Sequence, residues 1–262
     1  MVETTAELVL DVGDRLVRLI TSETPIVVSN TVPKERRALQ ALLIKAVSIM
    51  RSLLDLARHG HNPEAMILAR SLADHVITFA WLAIDPEAHY PRWERGDARD
   101  RLAAHERFQK RGRTLLEPGA KQLFERQKAN PVKYPPDMAG RADKADDYWA
   151  PRLGFPAGDK PFADTYDVIF KHCSSRTHAS VQGLNDVLEP TPEHIVLFLD
   201  RGPEYLDGAL AASLVIFGLG LKVAAEIFTI PARDKVEQLA SEYLRRRQAI
   251  VGLVSRSVST GF

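Results

Sequence analysis

"EAMILARSLADHVITFAWLA", residues 64–83, is the stretch of sequence that decides the fold of this chain. At 100° per residue, its small and aliphatic side chains fill one broad arc of a helix, and a polar strip occupies the rest. Ile67 and Trp81 interrupt that polar strip. We therefore expect a helix that is buried along its apolar arc and whose polar strip is covered by another element of the protein.

The same helical periodicity continues on both sides of this stretch. It predicts helices at about residues 4–22, 33–58, 62–84, 92–113, 141–149, 203–229 and 232–255, with others beginning after residues 117 and 161. "HIVLFL", residues 194–199, is the one convincing strand candidate. The sequence thus predicts an all-α fold, a multi-helix bundle of about seven to nine helices in a single domain over residues 1–262, with at most a minor β element near residues 194–199.

Residues 130–161 differ in composition from the rest of the chain. Six of the 16 prolines fall in this segment, among charged and aromatic residues. Long segments without regular structure are uncommon inside compact domains and often serve a function. We expect a proline-rich lid or long connection here, with only the short helix at about 141–149.

Composition limits the classes of function. The 35 basic and 34 acidic residues give a net charge of +1, so the chain as a whole does not attract nucleic acid or an anionic membrane. A single cysteine, Cys173, excludes an internal disulfide and fits a reducing compartment. The apolar run at 209–221 is shorter than the roughly 20 residues that span a bilayer, and the N-terminus lacks the pattern of a secretory signal. We expect a cytoplasmic protein without a membrane span.

The polar strip of residues 64–83 contains an arginine and an aspartate one helical turn apart. Arg70 and Asp74 lie about 40° from each other around the helix axis, whereas His75 lies at the far edge of the strip. One interpretation is an ordinary surface pair that contributes a few tenths of a kcal/mol. The other is that Asp74 holds Arg70 as a fixed cationic donor for a phosphate or carboxylate group.

A second polar cluster is "KHCSSRTHAS", residues 171–180. If the helix that begins near residue 162 continues, one of its sides carries Tyr166, Phe170, Cys173 and Thr177, and the other carries Asp167, Lys171, Ser174 and His178. Cys173 is then a core residue, not an activated nucleophile. A Ser–His triad is disfavoured because no strand–turn–helix elbow surrounds Ser174. The spacing of the histidines predicts no metal site, and no cofactor motif occurs.

These two clusters carry a family resemblance. "ARSLADHVITFAWLA", followed about a hundred residues later by "SSRTHAS", resembles DUF5677, a bacterial helical family of unknown function. The recurrent polar positions of that family correspond here to Arg70, Ser71, Asp74, Tyr166, Ser174 or Ser175, and His178. Aspartate stands at residue 74 where the family pattern has glutamate, which shortens the reach of the carboxylate. The resemblance covers about residues 35–230 and implies a helical fold and a polar pocket, but no reaction.

The segment "RSLADH" is also similar to the Arg-x(4–6)-His signature of HEPN ribonucleases from toxin–antitoxin and phage-defence systems. A second match is "RDRLAAH", from Arg99 to His105. The resemblance implies metal-independent cleavage of RNA, in which the histidine takes part in proton transfer at the 2′-hydroxyl and the arginine stabilises the phosphate. It also implies a homodimer that brings two such motifs together.

Three hypotheses follow for the polar residues. The first is a HEPN-like metal-independent endoribonuclease in a toxin or phage-defence role, with Arg70, His75 and His178 as catalytic residues, or with Arg99 and His105. The second is a non-enzymatic binding module whose central pocket recognises a small anion or a partner protein. The third is an interior polar network that only fixes the packing of the helices. The nearly neutral net charge disfavours RNA as the partner.

Overall fold

The computed structural model describes residues 4–21, 31–177, 188–190, 195–197, 206–228 and 233–259. Helices dominate these ranges and confirm the predicted all-α, multi-helix bundle. The nine helices of the described ranges are α1 (Thr5–Ile20), α2 (Lys34–Arg58), α3 (Asn62–Ile84), α4 (Pro86–Gln109), α5 (Pro118–Ala129), α6 (Met138–Arg152), α7 (Pro161–Thr177), α8 (Leu206–Ile227) and α9 (Arg233–Ser259).

The β structure in the described ranges is minor, as predicted. Strands β1 (Leu188–Pro190) and β2 (Ile195–Leu197) pair antiparallel, with Leu188 opposite Leu197. β2 lies inside the strand predicted at residues 194–199. Its partner, β1, contains a proline and was not predicted, because a three-residue strand carries too little alternation to be recognised.

Helix α3 is the centre of the bundle, packed against α2, α4, α6, α7 and α8. Its apolar arc is buried as predicted, and Leu72, Ile77 and Phe79 are at most 1% exposed. The close approach of α8 depends on Gly220, because a Cβ atom at this position would lie 2.9 Å from Val76 Cγ1. This packing leaves the polar strip of α3 facing α6 and α7.

Residues 130–161 contribute to the core through α6, which is longer than the short helix expected at 141–149. Asp137 begins the helix, because its Oδ1 accepts a 2.9 Å hydrogen bond from the amide of Gly140. Ala142, Ala145 and Trp149 are buried against the bundle. A good part of the segment that we expected to be a lid or a connection is therefore a packed helix.

A buried carboxylate on α6 holds the start of α7. Asp146 accepts hydrogen bonds from the amides of Phe162 (2.8 Å) and Ala163 (2.9 Å), which lie in the first turn of α7. Burial raises the pKa of Asp146, whereas these two hydrogen bonds lower it. The amides at a helix start lack partners within the helix, so Asp146 supplies acceptors that α7 needs.

Helices α4 and α5 form a hairpin that is largely exposed. Helix α4 begins earlier than predicted because Asp85 accepts a 3.0 Å hydrogen bond from the amide of Ala88. Tyr90 and Trp93 near its start pack against the core, whereas α5 has no buried residue and packs against α4. We refer to residues 86–133 as the α4–α5 arm.

Two helices are long and apolar enough to cross a bilayer, judged by length and composition alone. They are Glu64–Ile84 in α3 and Asp207–Ile227 in α8, so the apolar run at 209–221 lies within the helix predicted at about 203–229. In the folded chain, 61% and 72% of their most apolar windows are buried inside the protein. Core helices of soluble proteins have the same character, so length and composition are weak grounds for assigning a membrane span.

Candidate functional site

The polar strip of α3 is covered at its C-terminal end, as the sequence predicted. Thr78 and Trp81 are 4% and 0% exposed. The cover is Arg141 of α6, whose Nη1 donates a 3.0 Å hydrogen bond to Thr78 Oγ1 and whose guanidinium lies 5.2 Å from the Trp81 ring centre. Ile67 at the other end of the strip is 42% exposed. The strip therefore runs from solvent into the protein, and Arg70 and Asp74 lie between its two ends.

Helix α7 supplies the second side of the site. The guanidinium of Arg70 lies 5.0 Å from the ring centre of Phe170, within the range of a cation–π contact. Phe170 in turn lies 5.6 Å from Tyr166, measured between ring centres. Tyr166 is half-buried and Phe170 is 41% exposed, so the two rings form the outer wall of the site.

The carboxyl group of Asp74 has a perturbed pKa. Burial raises the pKa of Asp74, and the charges of Arg70, His75 and Arg141 oppose that rise. None of the residues that the structure describes donates a hydrogen bond to this carboxylate. Partial burial makes this carboxylate more costly to keep ionised than one in water, and groups with perturbed pKa values concentrate at functional sites.

Burial and the Asp74 carboxylate also shift the pKa values of Tyr166 and Arg141. Burial and the nearby Asp74 carboxylate raise the pKa of the Tyr166 hydroxyl, whereas Arg70 lowers it. Tyr166 thus stays protonated near neutral pH and can donate a hydrogen bond. Burial lowers the pKa of Arg141, while Asp74 and other acidic residues raise it. The cluster of Arg70, Asp74, Arg141 and Tyr166 is what we call the α3–α7 site.

His75 lies at the edge of this site and has a defined orientation. Its Nδ1 is 2.7 Å from the carbonyl oxygen of Ser71, one turn earlier in α3. A carbonyl only accepts, so Nδ1 carries the hydrogen and Nε2 of the neutral ring is an acceptor. His75 follows Arg70 by five residues, which places the two about 140° apart around the helix. They flank the polar strip from opposite sides.

The alternative pair, Arg99 and His105, has a different geometry. Arg99 is exposed, pairs with the adjacent Asp100 at 2.9 Å and lies 4.9 Å from the Tyr134 ring centre. His105 is 2% exposed, and its Nδ1 accepts hydrogen bonds from the amides of Leu115 (3.4 Å) and Leu116 (3.2 Å). The hydrogen of the neutral ring is therefore on Nε2. This geometry suits a hydrogen-bond donor at His105 better than a general base.

The structure brings together Arg70, Asp74 and Tyr166, and it places Ser71 and His75 beside them. Ser174 and Ser175 lie on the backbone of α7, but their side chains, and His178 altogether, are outside the described residues. Cys173 is fully buried, as predicted. The expected side of α7 was wrong in part, because Cys173 shares its buried side with Ile169, whereas Phe170 is exposed.

Sequence reasoning missed Arg141 and the role of Phe170. Arg141 lies in the proline-rich segment that we expected to be mostly irregular. The signal that could have found it is the spacing of Ala142, Ala145 and Trp149, which marks one buried side of a helix. Among the described residues, no group of three His, Cys, Asp or Glu side chains could hold a metal ion.

Comparison with known proteins identifies the family. The sequence model of a family of unknown function, DUF5677, matches residues 36–195. The match covers more than half of the chain, so the chain belongs to this family. No curated protein and no solved structure matches the chain. All the residues of the α3–α7 site lie within the matched region.

Proposed function

We propose that this member of the DUF5677 family is a binding module whose α3–α7 site takes a small anion that also carries a hydrogen-bond donor. The observation that carries the proposal is the half-buried carboxylate of Asp74, which accepts no hydrogen bond from the described residues although Arg70 and Arg141 lie close by. Such a site offers two complementary features, positive charge and a partly buried carboxylate that can accept a hydrogen bond from a ligand.

The chemistry of the site narrows the class of ligand. A phosphate or carboxylate group is attracted by the two guanidinium groups and can accept from the Tyr166 hydroxyl. A hydroxyl or amine on the same molecule donates to Asp74. The exposed ring of Phe170 adds apolar surface at the entrance. Sugar phosphates and nucleotides combine these features. Inorganic phosphate lacks the apolar part. A partner protein would need to present an anionic group and a hydrogen-bond donor on one segment.

Calorimetric titration tests this proposal. Ribose 5-phosphate should bind more tightly than inorganic phosphate, and Asp74→Asn should remove most of that preference because an amide is a poorer acceptor. Glu64→Gln is the matched control, since Glu64 is exposed on the same helix. Binding of neither probe to folded protein, or an unchanged preference in Asp74→Asn, would contradict the proposal.

The second candidate function is a metal-independent endoribonuclease of the HEPN type, in a toxin or phage-defence role. The observation that favours it is the orientation of His75, whose Nδ1 faces the Ser71 carbonyl at 2.7 Å and leaves Nε2 as an acceptor. In this reaction the 2′-oxygen of RNA attacks the adjacent phosphorus and passes its proton to Nε2 of His75. The bond to the 5′-oxygen breaks, that oxygen takes a proton from water, and a 2′,3′-cyclic phosphate forms.

Arg70 would stabilise the charge that develops on the phosphate in this reaction. His178, outside the described residues, stays a proposed catalytic residue, and Arg99 and His105 stay the alternative motif. In this candidate function the chain binds RNA and forms a homodimer. It acts in the cytoplasm, a reducing compartment that the single cysteine favours.

Cleavage of total cellular RNA in EDTA separates the two candidates. The ribonuclease candidate predicts cleavage by the wild type that His75→Ala and Arg70→Ala abolish and His105→Ala retains. It also predicts that expression of the wild type slows growth and that the same two substitutions relieve the effect. No cleavage by folded wild-type protein would exclude this candidate and leave the binding module.

A further inference from the structure

The α4–α5 arm differs in charge from the rest of the chain. Residues 86–133 contain twelve Lys and Arg against seven Asp and Glu, a net charge of +5, although the whole chain has a net charge of only +1. The arm also exposes three large apolar side chains, Phe108, Leu115 and Leu123. A local excess of positive charge on an exposed hairpin attracts anions that the whole chain does not.

A cavity of about 510 Å³ lies between α4 and α5 in this arm. Its buried lining residues are Leu102 and His105, whereas its rim is charged and includes the carboxylates of Glu106 and Glu125. Three cations line the cavity, namely Arg95, Lys121 and Lys128. The lining also includes the aromatic ring of Tyr134, the aliphatic side chain of Leu102 and the buried imidazole of His105.

The buried imidazole points to a ligand. His105 is 2% exposed, and the amides of Leu115 and Leu116 both donate to its Nδ1. Nε2 therefore carries the hydrogen, yet it has no hydrogen-bond partner among the residues that the structure describes. Buried N–H groups without an acceptor are rare in folded proteins. His105 is one of the residues that line the cavity, so its ring is next to any molecule bound there.

One cation beside the cavity, Arg95, is held by the fold. Arg95 donates from Nε to the carbonyl oxygen of Lys128 at 3.0 Å and from Nη1 to that of Val132, and its guanidinium lies 4.0 Å from the Tyr134 ring centre. These contacts attach the end of α5 to α4 and fix the shape of the cavity. Lys121 pairs loosely with Glu125 at 3.8 Å, an exposed contact that a more highly charged anion can replace.

We propose that the α4–α5 cavity binds a phosphate group, with the Nε2 hydrogen of His105 donated to a phosphate oxygen and with Arg95, Lys121 and Lys128 supplying the positive charge. A phosphate presents several acceptor oxygens, so it can meet the buried imidazole and the lysines at the rim together. This proposal shares no residue with the α3–α7 site and does not depend on the proposed function.

Titrations with three probes test the proposal and distinguish the sources of the phosphate. The probes are inorganic phosphate, adenosine 5′-monophosphate and a single-stranded 2′-O-methyl RNA that resists cleavage. The cavity variant, Lys121→Gln with Lys128→Gln, removes two positive charges from the lining of the cavity. The control variant, Lys110→Gln with Lys133→Gln, removes two positive charges from exposed positions of the same arm that do not line the cavity. We expect the cavity variant to bind the preferred probe at least about tenfold more weakly, and the control less than about threefold.

Imidazole nitrogen NMR adds a readout that diffuse charge would not affect. On binding of the preferred probe, the Nε2–H signal of His105 should shift and exchange more slowly with water, in the wild type and in Asp74→Asn alike. The proposal is overturned if both double variants lose affinity equally, which indicates diffuse electrostatic attraction. It is also overturned if none of the probes binds, or if binding leaves the His105 signal unchanged.

Discussion

The indole Nε1 of Trp149 donates a 2.8 Å hydrogen bond to the carbonyl oxygen of Ala80, and this contact attaches α6 to α3. Trp149 is 4% exposed and Ala80 is fully buried, so the bond is shielded from water. Because α6 also carries Arg141, the same attachment determines how close a second guanidinium comes to Asp74. The α3–α7 site therefore depends on a hydrogen bond outside it.

Replacing Trp149 tests that attachment. Trp149→Phe should lower the free energy of unfolding by about 1 to 2 kcal/mol, because it removes one buried hydrogen bond and some packed volume. Urea denaturation measures the change. Trp93→Phe, at a half-buried position on α4, is the control and should cost less. Equal losses in the two variants would show that the indole hydrogen bond does not attach α6.

Asp146 should matter more to stability than a helix cap at the surface. Asp146→Ala leaves the amides of Phe162 and Ala163 without their acceptor and should cost about 2 kcal/mol or more. Asp137→Ala removes one exposed cap and should cost about 1 kcal/mol. Asp146→Asn keeps an acceptor oxygen and should lie between the wild type and Asp146→Ala. A cost for Asp146→Ala no greater than that for Asp137→Ala would refute this ranking.

The pH dependence of stability should report the burial of Asp74. The pKa of Asp74 in the folded state lies above its ordinary value of 3.8. At pH values between the ordinary pKa and the raised pKa, the folded state therefore binds more protons than the unfolded state. The contribution of Asp74 to the free energy of unfolding therefore falls as pH rises through that window. Asp74→Asn lacks this titrating group. As pH rises from about 4, the free energy of unfolding of Asp74→Asn should therefore increase relative to that of the wild type, and the difference should level off above the raised pKa of Asp74.

Urea titrations of both proteins over this pH range measure that difference, and carbon NMR of the Asp74 carboxyl group measures its pKa directly. In the same NMR experiment, Arg141→Met should raise the pKa of Asp74 further, because it removes a positive charge that favours the carboxylate. A wild-type pKa below 3.8, or one that falls in Arg141→Met, would contradict the geometry described for the site.

Much of the fold could be predicted because helix boundaries follow local chemistry. Helices α1, α2, α3 and α8 begin and end within a few residues of their expected positions, since prolines, caps and apolar spacing mark those ends. Helix α6 was underestimated because the prolines around it were interpreted as loop signals, although they lie mostly before or after the helix. The early start of α4 was missed because Asp85 caps a helix that has Pro86 at its first position and Pro91 in its interior.

The candidate site could be predicted only where its residues share one helix. Arg70 and Asp74 lie one turn apart on α3, so periodicity alone places them together. Their partners Arg141 and Phe170 come from α6 and α7, and no local pattern reveals which side of those helices faces α3. The buried state of His105 was missed for the same reason, since the amides that bond to its ring lie ten and eleven residues later.

By itself, the sequence determined the helical class of this protein, the apolar arc that buries α3 and the placement of Arg70 and Asp74 one turn apart, because all three depend on spacing along a helix. The tertiary structure decided the environment of these groups. Burial raises the pKa of Asp74 and leaves the carboxylate near two arginines, and the folding of α5 onto α4 encloses His105 beside a cavity. Desolvation and charge interactions arise between elements distant in sequence, and only their packing determines them.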